Sequence, residues 1–200
     1  IRHETDPLAL LEKLQECQVL CALNHGPYGV SGINEMIARK LGRKASEWAP
    51  GVPVMVTHND RTRSVYNGDV GLVLPVRETD AGWVIDRDGA LMACFPGSDE
   101  QGGVRTISLA QMPPWEPCYA MTVHKSQGSE YRTVLLVLPA DDPEHRPPQV
   151  LTRELVYTGI TRAKSEVTVS AGEGVLRTAI ETRTVRMSGL AWHGGQDMRD

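Results

Sequence analysis

The chain has 200 residues, of which 40% are hydrophobic, and its formal net charge is -4. This length fits one ordinary domain or one domain with a small inserted module, and this apolar content excludes wholesale disorder. A negative net charge argues against a protein that coats nucleic acid through bulk charge, although it allows one that holds single strands through a few placed contacts.

The sequence has no sign of a membrane anchor, a secretion signal or a metal site. No window reaches the roughly 18 apolar residues of a membrane span, and no apolar run follows the charged N-terminus as in a signal peptide. The chain begins at Ile rather than Met, which is typical of a fragment. We expect a cytoplasmic protein whose scattered cysteines are reduced and packed: Cys17, Cys21, Cys94 and Cys118.

The first fifty residues have the pattern of an α/β domain. Leucines at helical spacing predict an amphipathic helix over residues 5–17, with Thr5 or Asp6 as the cap before Pro7. A buried parallel strand, a turn-rich loop and a second helix are predicted to follow at residues 19–23, 24–29 and 31–41. Strand, glycine loop and helix in this order are typical of α/β proteins.

From about Pro50 to about Trp115 the pattern changes to short strands separated by turns. Asn67-Gly68-Asp69 and Asp88-Gly89 are turn signals, and no helix is needed in this stretch. The pattern favours a small β-barrel of the SH3-like kind, inserted between α/β elements. The predicted strands are Val52–Thr57, Val70–Val76, Gly82–Ile85, Leu91–Phe95 and Val104–Ser108.

The α/β pattern returns after Pro117. Val134–Leu138 is the most strongly β-branched and apolar run of the chain, and a polar, proline-rich loop follows it at residues 139–149. Thr152 is expected to cap a helix that extends to Arg162. Two strands and a helix complete the prediction, at residues 118–123, 166–171 and 173–182. Residues 186–200 are turn-rich and expected to be loosely held.

The segment Tyr119–Tyr131 concentrates polar residues between two apolar strands. It contains Thr122, His124, Lys125, Ser126, Gln127 and Glu130, which are costly to bury without partners. One interpretation is a structural loop with a cap at Ser126 and a turn at Gly128. The other is a loop that binds ligands.

As a string, this segment resembles motif V of the superfamily-one helicases, Thr-x-His-Lys-x-Gln-Gly-x-Glu before a strand. The resemblance implies that the first part of the loop faces single-stranded DNA, through Thr122, His124 and Lys125. It implies that the second part faces ATP, through Gln127, Gly128 and Glu130. One short loop would then contact both ligands, so that the nucleotide state can alter the grip on DNA.

The segment Thr152–Lys164 also allows two interpretations. The first is an ordinary amphipathic helix, with Leu155, Val156 and Ile160 inward and Arg153, Arg162 and Lys164 solvated. The second follows from its Tyr-Thr-x-Ile-Thr-Arg-Ala run, which resembles motif VI of the same helicases. The resemblance implies that Arg162 is an arginine finger, because a guanidinium can hold phosphate oxygens and stabilise the transition state. Tyr157 would either pack near the nucleotide or belong to the core.

Two weaker resemblances agree with these. Val19–Gly29 with Asn34 looks like the motif IV region of RecD-type helicases, and Val52–Leu74 resembles their SH3-like insertion, which helps to guide DNA. Three residues are candidates for that guiding role: Asn59, Arg61 and Asn67. The alternative, which the turn signals favour, is ordinary turn chemistry at a hairpin.

The loop that cradles nucleotide phosphates is missing from the sequence. No Gly-x-x-x-x-Gly-Lys-Ser/Thr occurs. Asp141 and Asp142 follow a strand as magnesium-holding acids would, but they lie in the proline-rich loop, and we interpret them as solvated. The chain alone is therefore not expected to hydrolyse ATP.

Together these features resemble the RecD group of superfamily-one DNA helicases over roughly residues 15–190. The implied fold is α/β, a RecA-like (P-loop NTPase-type) helicase domain 2A over residues 1–50 and 116–200, with the SH3-like barrel inserted at 51–115. The intact enzyme would use ATP and Mg²⁺ to move 5′→3′ on single-stranded DNA, and a missing N-terminal RecA-like domain would supply the phosphate loop. The implied partners are the RecB and RecC subunits of exodeoxyribonuclease V, in double-strand-break repair and DNA degradation.

Two alternatives remain at this point. One is a non-catalytic DNA- or protein-binding module, and the other is the helicase part of a conjugative relaxase. The coding sequence upstream of Ile1 would discriminate between them.

Overall fold

The computed structural model describes residues 6–97, 103–141 and 148–184. Two sheets with four α-helices make up this part of the chain. The helices are α1 (Pro7–Lys13), α2 (Val30–Lys40), α3 (Arg153–Ile160) and α4 (Glu173–Glu181). The strands are β1 (Cys17–Cys21), β2 (Pro53–Val56), β3 (Val70–Thr79), β4 (Gly82–Ile85), β5 (Ala90–Pro96), β6 (Val104–Ser108), β7 (Trp115–Pro117), β8 (Ala120–Thr122), β9 (Tyr131–Val137) and β10 (Ala163–Ser170).

The first sheet is parallel and has helices on both faces, which confirms the α/β prediction. Its strand order is β10-β9-β1-β8. Alternate residues of each strand point to opposite faces, so two apolar clusters form. One packs Ile33 of α2 against Cys21 and Ala120, and the other packs Leu155 of α3 and Val175 of α4 against the opposite face.

The second sheet is antiparallel and lies in sequence between α2 and β8. Its strand order is β6-β5-β3-β2-β7, and β4 pairs with β3. The predicted bounds of β4 and β6 are confirmed, whereas the prediction missed β7, and a short 3-10 turn occurs at Leu109–Gln111. Helix α1 packs Leu10 and Leu11 on this sheet rather than on the parallel one. The SH3-like barrel and the domain boundaries stay predictions.

The prediction for the N-terminal helix was wrong at its C-terminal end. The helix ends at Lys13, and Cys17 is the first residue of β1. The predicted cap is confirmed, since the Asp6 side chain accepts a hydrogen bond from the Leu8 amide at 2.8 Å. All four cysteines are free, and burial raises the pKa of Cys21, Cys94 and Cys118 to about 12. Within the described ranges, no helix is long and apolar enough to cross a membrane.

Candidate functional site

The loop between β8 and β9 runs from the edge of the parallel sheet where its strands end to the opposite edge, where its strands begin. In the register, Cys21 of β1 is level with both Thr122, at the end of β8, and Val137, at the end of β9. Tyr131, where the loop enters β9, therefore lies at the other edge, beside the start of β10. The segment that resembles motif V thus begins at one edge and finishes at the other.

The first end of the loop opens into a groove of about 420 Å³, which we call the Thr122 groove. Thr122 is only 6% exposed, and its hydroxyl oxygen accepts a hydrogen bond from the Lys125 amide at 3.2 Å. Lys125 is exposed and forms an ion pair with Glu116 of β7. His124 is exposed but does not line the groove. The lining residues include Asn24, His25, Ser31, Asn34, Glu116, Thr122 and Lys125.

In the middle of the loop the predicted turn at Gly128 is confirmed, whereas the predicted helix cap at Ser126 was wrong, because residues 123–128 form turns and no helix begins there. Ser126 is fully buried, and its hydroxyl donates to the Val123 carbonyl at 2.8 Å. Gly128 has φ +89°, a conformation that glycine adopts without a steric penalty. Gln127 is exposed and contributes to neither cavity. A structural role therefore accounts for Ser126 and Gly128, and it is compatible with ligand contacts at the two ends.

The second end of the loop borders a larger cleft of about 790 Å³, which we call the Arg162 cleft. It lies between the parallel sheet, helix α1 and the inserted sheet. Glu130 and Lys164 form an ion pair at 3.4 Å on its border. Its charged and loop residues include Gly128, Glu130, Arg162 and Lys164 from the parallel part and Asp69 and Arg105 from the inserted sheet.

Arg162 is held at this cleft by oxygens of its own helix and of the motif loop. Its Nε donates to the Thr158 carbonyl at 3.2 Å, and one terminal nitrogen donates to the Ser129 carbonyl at 3.2 Å. The other terminal nitrogen donates to the Thr161 hydroxyl at 3.4 Å. Because a guanidinium has five N–H donors, two remain for a ligand. The first interpretation, which left Arg162 simply solvated, was wrong for this side chain.

The main chain also ties the two motifs together. The Tyr131 amide donates to the Arg162 carbonyl at 2.8 Å. Gly159 of α3 lies against the sheet, where a Cβ would come within 2.9 Å of Leu136 Cδ1 and 3.4 Å of Val123 Cγ2. Glycine at this helical position therefore allows α3 to approach both β9 and the start of the motif loop.

The remaining predictions for α3 have mixed outcomes. The Thr152 cap is confirmed by a hydrogen bond from the Leu155 amide at 3.3 Å. Leu155 and Val156 are buried as predicted, but Ile160 is 38% exposed, so its inward placement was wrong. Tyr157 is 68% exposed, which rules out the core alternative, and it lines neither cavity.

The three candidate DNA contacts lie on one exposed loop of the inserted sheet and line neither cavity, although Tyr66 and Gly68 of the same loop line the Arg162 cleft. The Asn67 amide donates to the Asn59 side chain at 2.8 Å. Within the same loop, the Arg61 carbonyl accepts from the Ser64 amide at 3.3 Å. These bonds are the turn chemistry that the alternative predicted.

Asp141 is not merely solvated, which corrects the prediction. Its carboxylate accepts from the Val175 amide at 2.7 Å and from the Gly174 amide at 3.4 Å. It therefore caps α4, whose own N-cap residue, Gly172, has no side chain for that purpose. Asp142 lies outside the described residues.

Sequence reasoning missed several residues of the Thr122 groove. Ser31 lines it although no motif marks it, His25 was included only in the weak resemblance of Val19–Gly29, and Glu116 comes from the inserted sheet. Asn34 was noted only as part of a weak resemblance. Its contacts with β8 depend on residues far apart in the chain, so local spacing gave no signal.

Comparison with known proteins identifies relatives of the chain. Residues 117–170 match the UvrD-like helicase C-terminal domain family. The RecBCD enzyme subunit RecD of Haemophilus influenzae is 36% identical over 91% of this chain and 26% of its own length. The corresponding subunit of Mycolicibacterium smegmatis is 37% identical over 92% of this chain and 30% of its own length. The chain is similar to one part of RecD.

The similarity to RecD extends along nearly the whole chain, but the chain spans less than a third of the length of these subunits. The ATP-dependent RecD2 DNA helicase of Deinococcus radiodurans is 32% identical over 74% of this chain and 19% of its own length. Among solved structures, Pif1 from Bacteroides bound to single-stranded DNA has a TM-score of 0.42 at 18% identity, covering 86% of this chain and 46% of that one. This TM-score is too low to show a common fold.

Proposed function

We propose that this chain is the second RecA-like motor domain of an ATP-dependent 5′→3′ DNA helicase of the RecD type. One observation carries the proposal: a single loop begins in the Thr122 groove and ends at the Arg162 cleft. Residues 123–130 join the two ends, so a movement of the loop at one site can shift its residues at the other. Such a loop is suited to couple a nucleotide site to a DNA site.

On the DNA side, the Thr122 groove would receive the phosphate backbone of a single strand. The groove offers the Thr122 hydroxyl, the Lys125 ammonium and the Asn24 amide, which are groups that bind phosphate oxygens. His124 lies exposed on the same loop and would contact the strand beside the groove. Backbone contacts of this kind hold DNA without reading its sequence.

On the nucleotide side, Arg162 would act as the arginine finger. Two of its N–H donors remain available, and Lys164 adds a second cation to the cleft. Gln127, Gly128 and Glu130 would border the nucleotide when the two motor domains close, and Tyr157 would present its exposed ring to it. The Arg162 and Lys164 cations fit a polyphosphate, whose developing charge a guanidinium can stabilise.

The described residues do not form a site for a resident magnesium ion. In the part of the chain that the structure describes, no three His, Cys, Asp or Glu side chains are grouped to hold a metal. The phosphate loop and the Mg²⁺ ligands would therefore come from an N-terminal RecA-like domain of the same protein. This division of labour makes the chain one half of an ATP site.

We further propose that the inserted sheet is an SH3-like barrel spanning residues 51–115, between RecA-like portions at 1–50 and 116–200. Its exposed Asn59, Arg61 and Asn67 would guide the DNA strand. The antiparallel pairing and the single loop that carries all three residues support this. Two of the three named relatives are RecBCD subunits, which supports RecB and RecC as partners and a cytoplasmic role in double-strand-break repair and DNA degradation.

The proposal is tested by separating the two activities in the full-length protein. Arg162→Ala should lower ATP turnover by about 10³-fold or more while leaving single-strand affinity nearly unchanged. Thr122→Ala should weaken single-strand affinity by about tenfold, because a hydrogen bond to a charged phosphate is lost. ATP turnover assays and fluorescence titrations with an oligonucleotide measure both. Unchanged turnover in the first variant or unchanged affinity in the second would refute the corresponding half.

A further inference from the structure

Asn34 makes a two-point contact with the strand that carries Thr122. It is 3% exposed and lies on α2. Its side-chain nitrogen donates to the Ala120 carbonyl at 3.1 Å, and its side-chain oxygen accepts from the Ala120 amide at 3.0 Å. Both main-chain groups of one strand residue are therefore satisfied by a single amide side chain.

This contact lies on the side of β8 that faces away from β1. The strand has three residues, lies at the edge of the sheet, and pairs only with β1. Residues of a parallel strand alternate between its two sides, and the Val123 amide bonds to Cys21 on the β1 side at 3.1 Å. Ala120 and Thr122 therefore present their main-chain groups to the outer side, where Asn34 takes the place of a further strand.

We propose that Asn34 is a positioning residue for the DNA site, which rests on the proposed function of the Thr122 groove. By fixing the peptide groups of Ala120, it sets the direction of β8 and hence the place of the Thr122 side chain. Asn34 and Ser31 of α2 line the same groove as Thr122. A DNA strand bound in the groove would contact α2 and β8 together, and Asn34 fixes the position of α2 relative to β8.

The substitution Asn34→Asp tests this role because its effect is reversible. An aspartate of the same shape still accepts from the Ala120 amide, but when ionised it faces the Ala120 carbonyl with no proton to donate. When protonated, it donates an O–H to that carbonyl and restores both bonds. Burial beside a carbonyl raises the pKa of a carboxyl group, so the restored form is accessible at mildly acidic pH.

Asn24→Asp is the matched control. Asn24 lines the same groove, so the variant introduces the same charge but leaves the Asn34 hydrogen bonds to Ala120 in place. The other groups that face the groove, His25, Glu35, Glu116 and Lys125, are common to all variants. Comparison with the wild type at each pH therefore removes their titration.

Single-strand affinity is measured for wild type and both variants in the full-length protein, at about pH 8 and about pH 5, which bracket the protonation of a raised carboxyl. At the higher pH, Asn34→Asp should bind about tenfold more weakly than wild type. At the lower pH it should return to wild-type affinity. Equal behaviour of the two variants at both pH values would overturn the proposal.

Amide hydrogen exchange without DNA separates this proposal from the proposed function. Exchange at the Val123 and Lys125 amides, which bond to Cys21 and to Thr122, should be faster in Asn34→Asp than in wild type at the higher pH only, and unchanged in Asn24→Asp. If Thr122→Ala leaves DNA affinity intact, the DNA site is refuted, but this exchange pattern would still show that Asn34 positions β8. Wild-type exchange in Asn34→Asp at both pH values would overturn the positioning role.

Discussion

Lys125 in the Thr122 groove and Arg162 in the Arg162 cleft are held in different ways, although the other two cations of the cleft, Lys164 and Arg105, are paired with Glu130 and Asp69. In the groove, the Lys125 ammonium is paired with a carboxylate, Glu116, that the inserted sheet supplies. In the cleft, the hydrogen bonds of the Arg162 guanidinium go to two carbonyls and a hydroxyl, all on neighbouring residues of the motifs. An anion must displace a full negative charge in the first case and only compete with neutral oxygens in the second.

The difference suggests distinct tasks for the two regions. A cation held by neutral dipoles keeps most of its attraction for an incoming phosphate, and its direction is fixed in advance. A cation held by a carboxylate binds a phosphate more weakly, because the ligand competes with the internal partner. In the proposed helicase, weak and exchangeable contacts suit a DNA strand that is released at every step, whereas a preoriented guanidinium suits a catalytic contact.

The largest effect is expected from Arg162→Lys, which keeps the charge and removes the oriented donors. One ammonium cannot bond to Thr158, Ser129 and a phosphate in the geometry of a guanidinium. We expect ATP turnover of the full-length protein to fall by about 100-fold, less than on complete removal of the finger. Arg153→Lys, at the exposed start of the same helix, is the control and should leave turnover unchanged. Near-normal turnover in Arg162→Lys would mean that charge alone matters in the cleft.

An intermediate effect is expected from Gly159→Val, which tests whether the two regions are independent. The added side chain would press on Leu136 and on Val123, next to Thr122. We expect a loss of about 1–3 kcal/mol in the free energy of unfolding, as for overpacked cores, and several-fold losses of both ATP turnover and DNA affinity. Urea unfolding and the two activity assays measure this, with the smaller Gly159→Ala as the graded control. A loss confined to one activity would show that this contact does not link the groove to the cleft.

The sequence predicted the elements and the motif segments well where the signals are local. Alternating strands between turn signals predicted the bounds of β4 and β6, and Thr152 was identified as a cap from its own position. Helix α1 was predicted to extend too far because Cys17 continues the helical spacing of apolar residues. The chain instead enters a strand there, since pairing with β9 outweighs local helical preference.

The contacts that build the site were much less predictable. Asn34 contacts a residue 86 positions away, and Asp141 caps a helix that begins only at Glu173. Neither partner can be found from spacing, because the sheet order decides which segments meet. Trp115–Pro117 was missed as a strand for the same reason, since three residues show no periodicity and only pairing with β2 defines them.

The smallest effect is expected from Glu116→Gln, which leaves the Lys125 ammonium without its carboxylate partner, so that it resembles the Arg162 guanidinium in this respect. Removing the carboxylate frees Lys125 for a phosphate. Exposed ion pairs contribute roughly 0.2–1 kcal/mol, so single-strand affinity should rise by up to about fivefold. The slope of log affinity against log salt should steepen by about 0.7 for one added phosphate contact. Fluorescence titrations over a range of salt concentrations measure both quantities.

Glu35→Gln is the matched control, because Glu35 lines the same groove and the variant removes the same charge. If the gain arises from Lys125 itself, Glu116→Gln should exceed the control in affinity and in salt slope, and Lys125→Gln in the same background should abolish the difference. Equal gains in the two variants would mean that only the overall potential of the groove has changed. In that case the ion pair would not hold Lys125 back from DNA, and the two regions would not differ in the way that their geometry indicates.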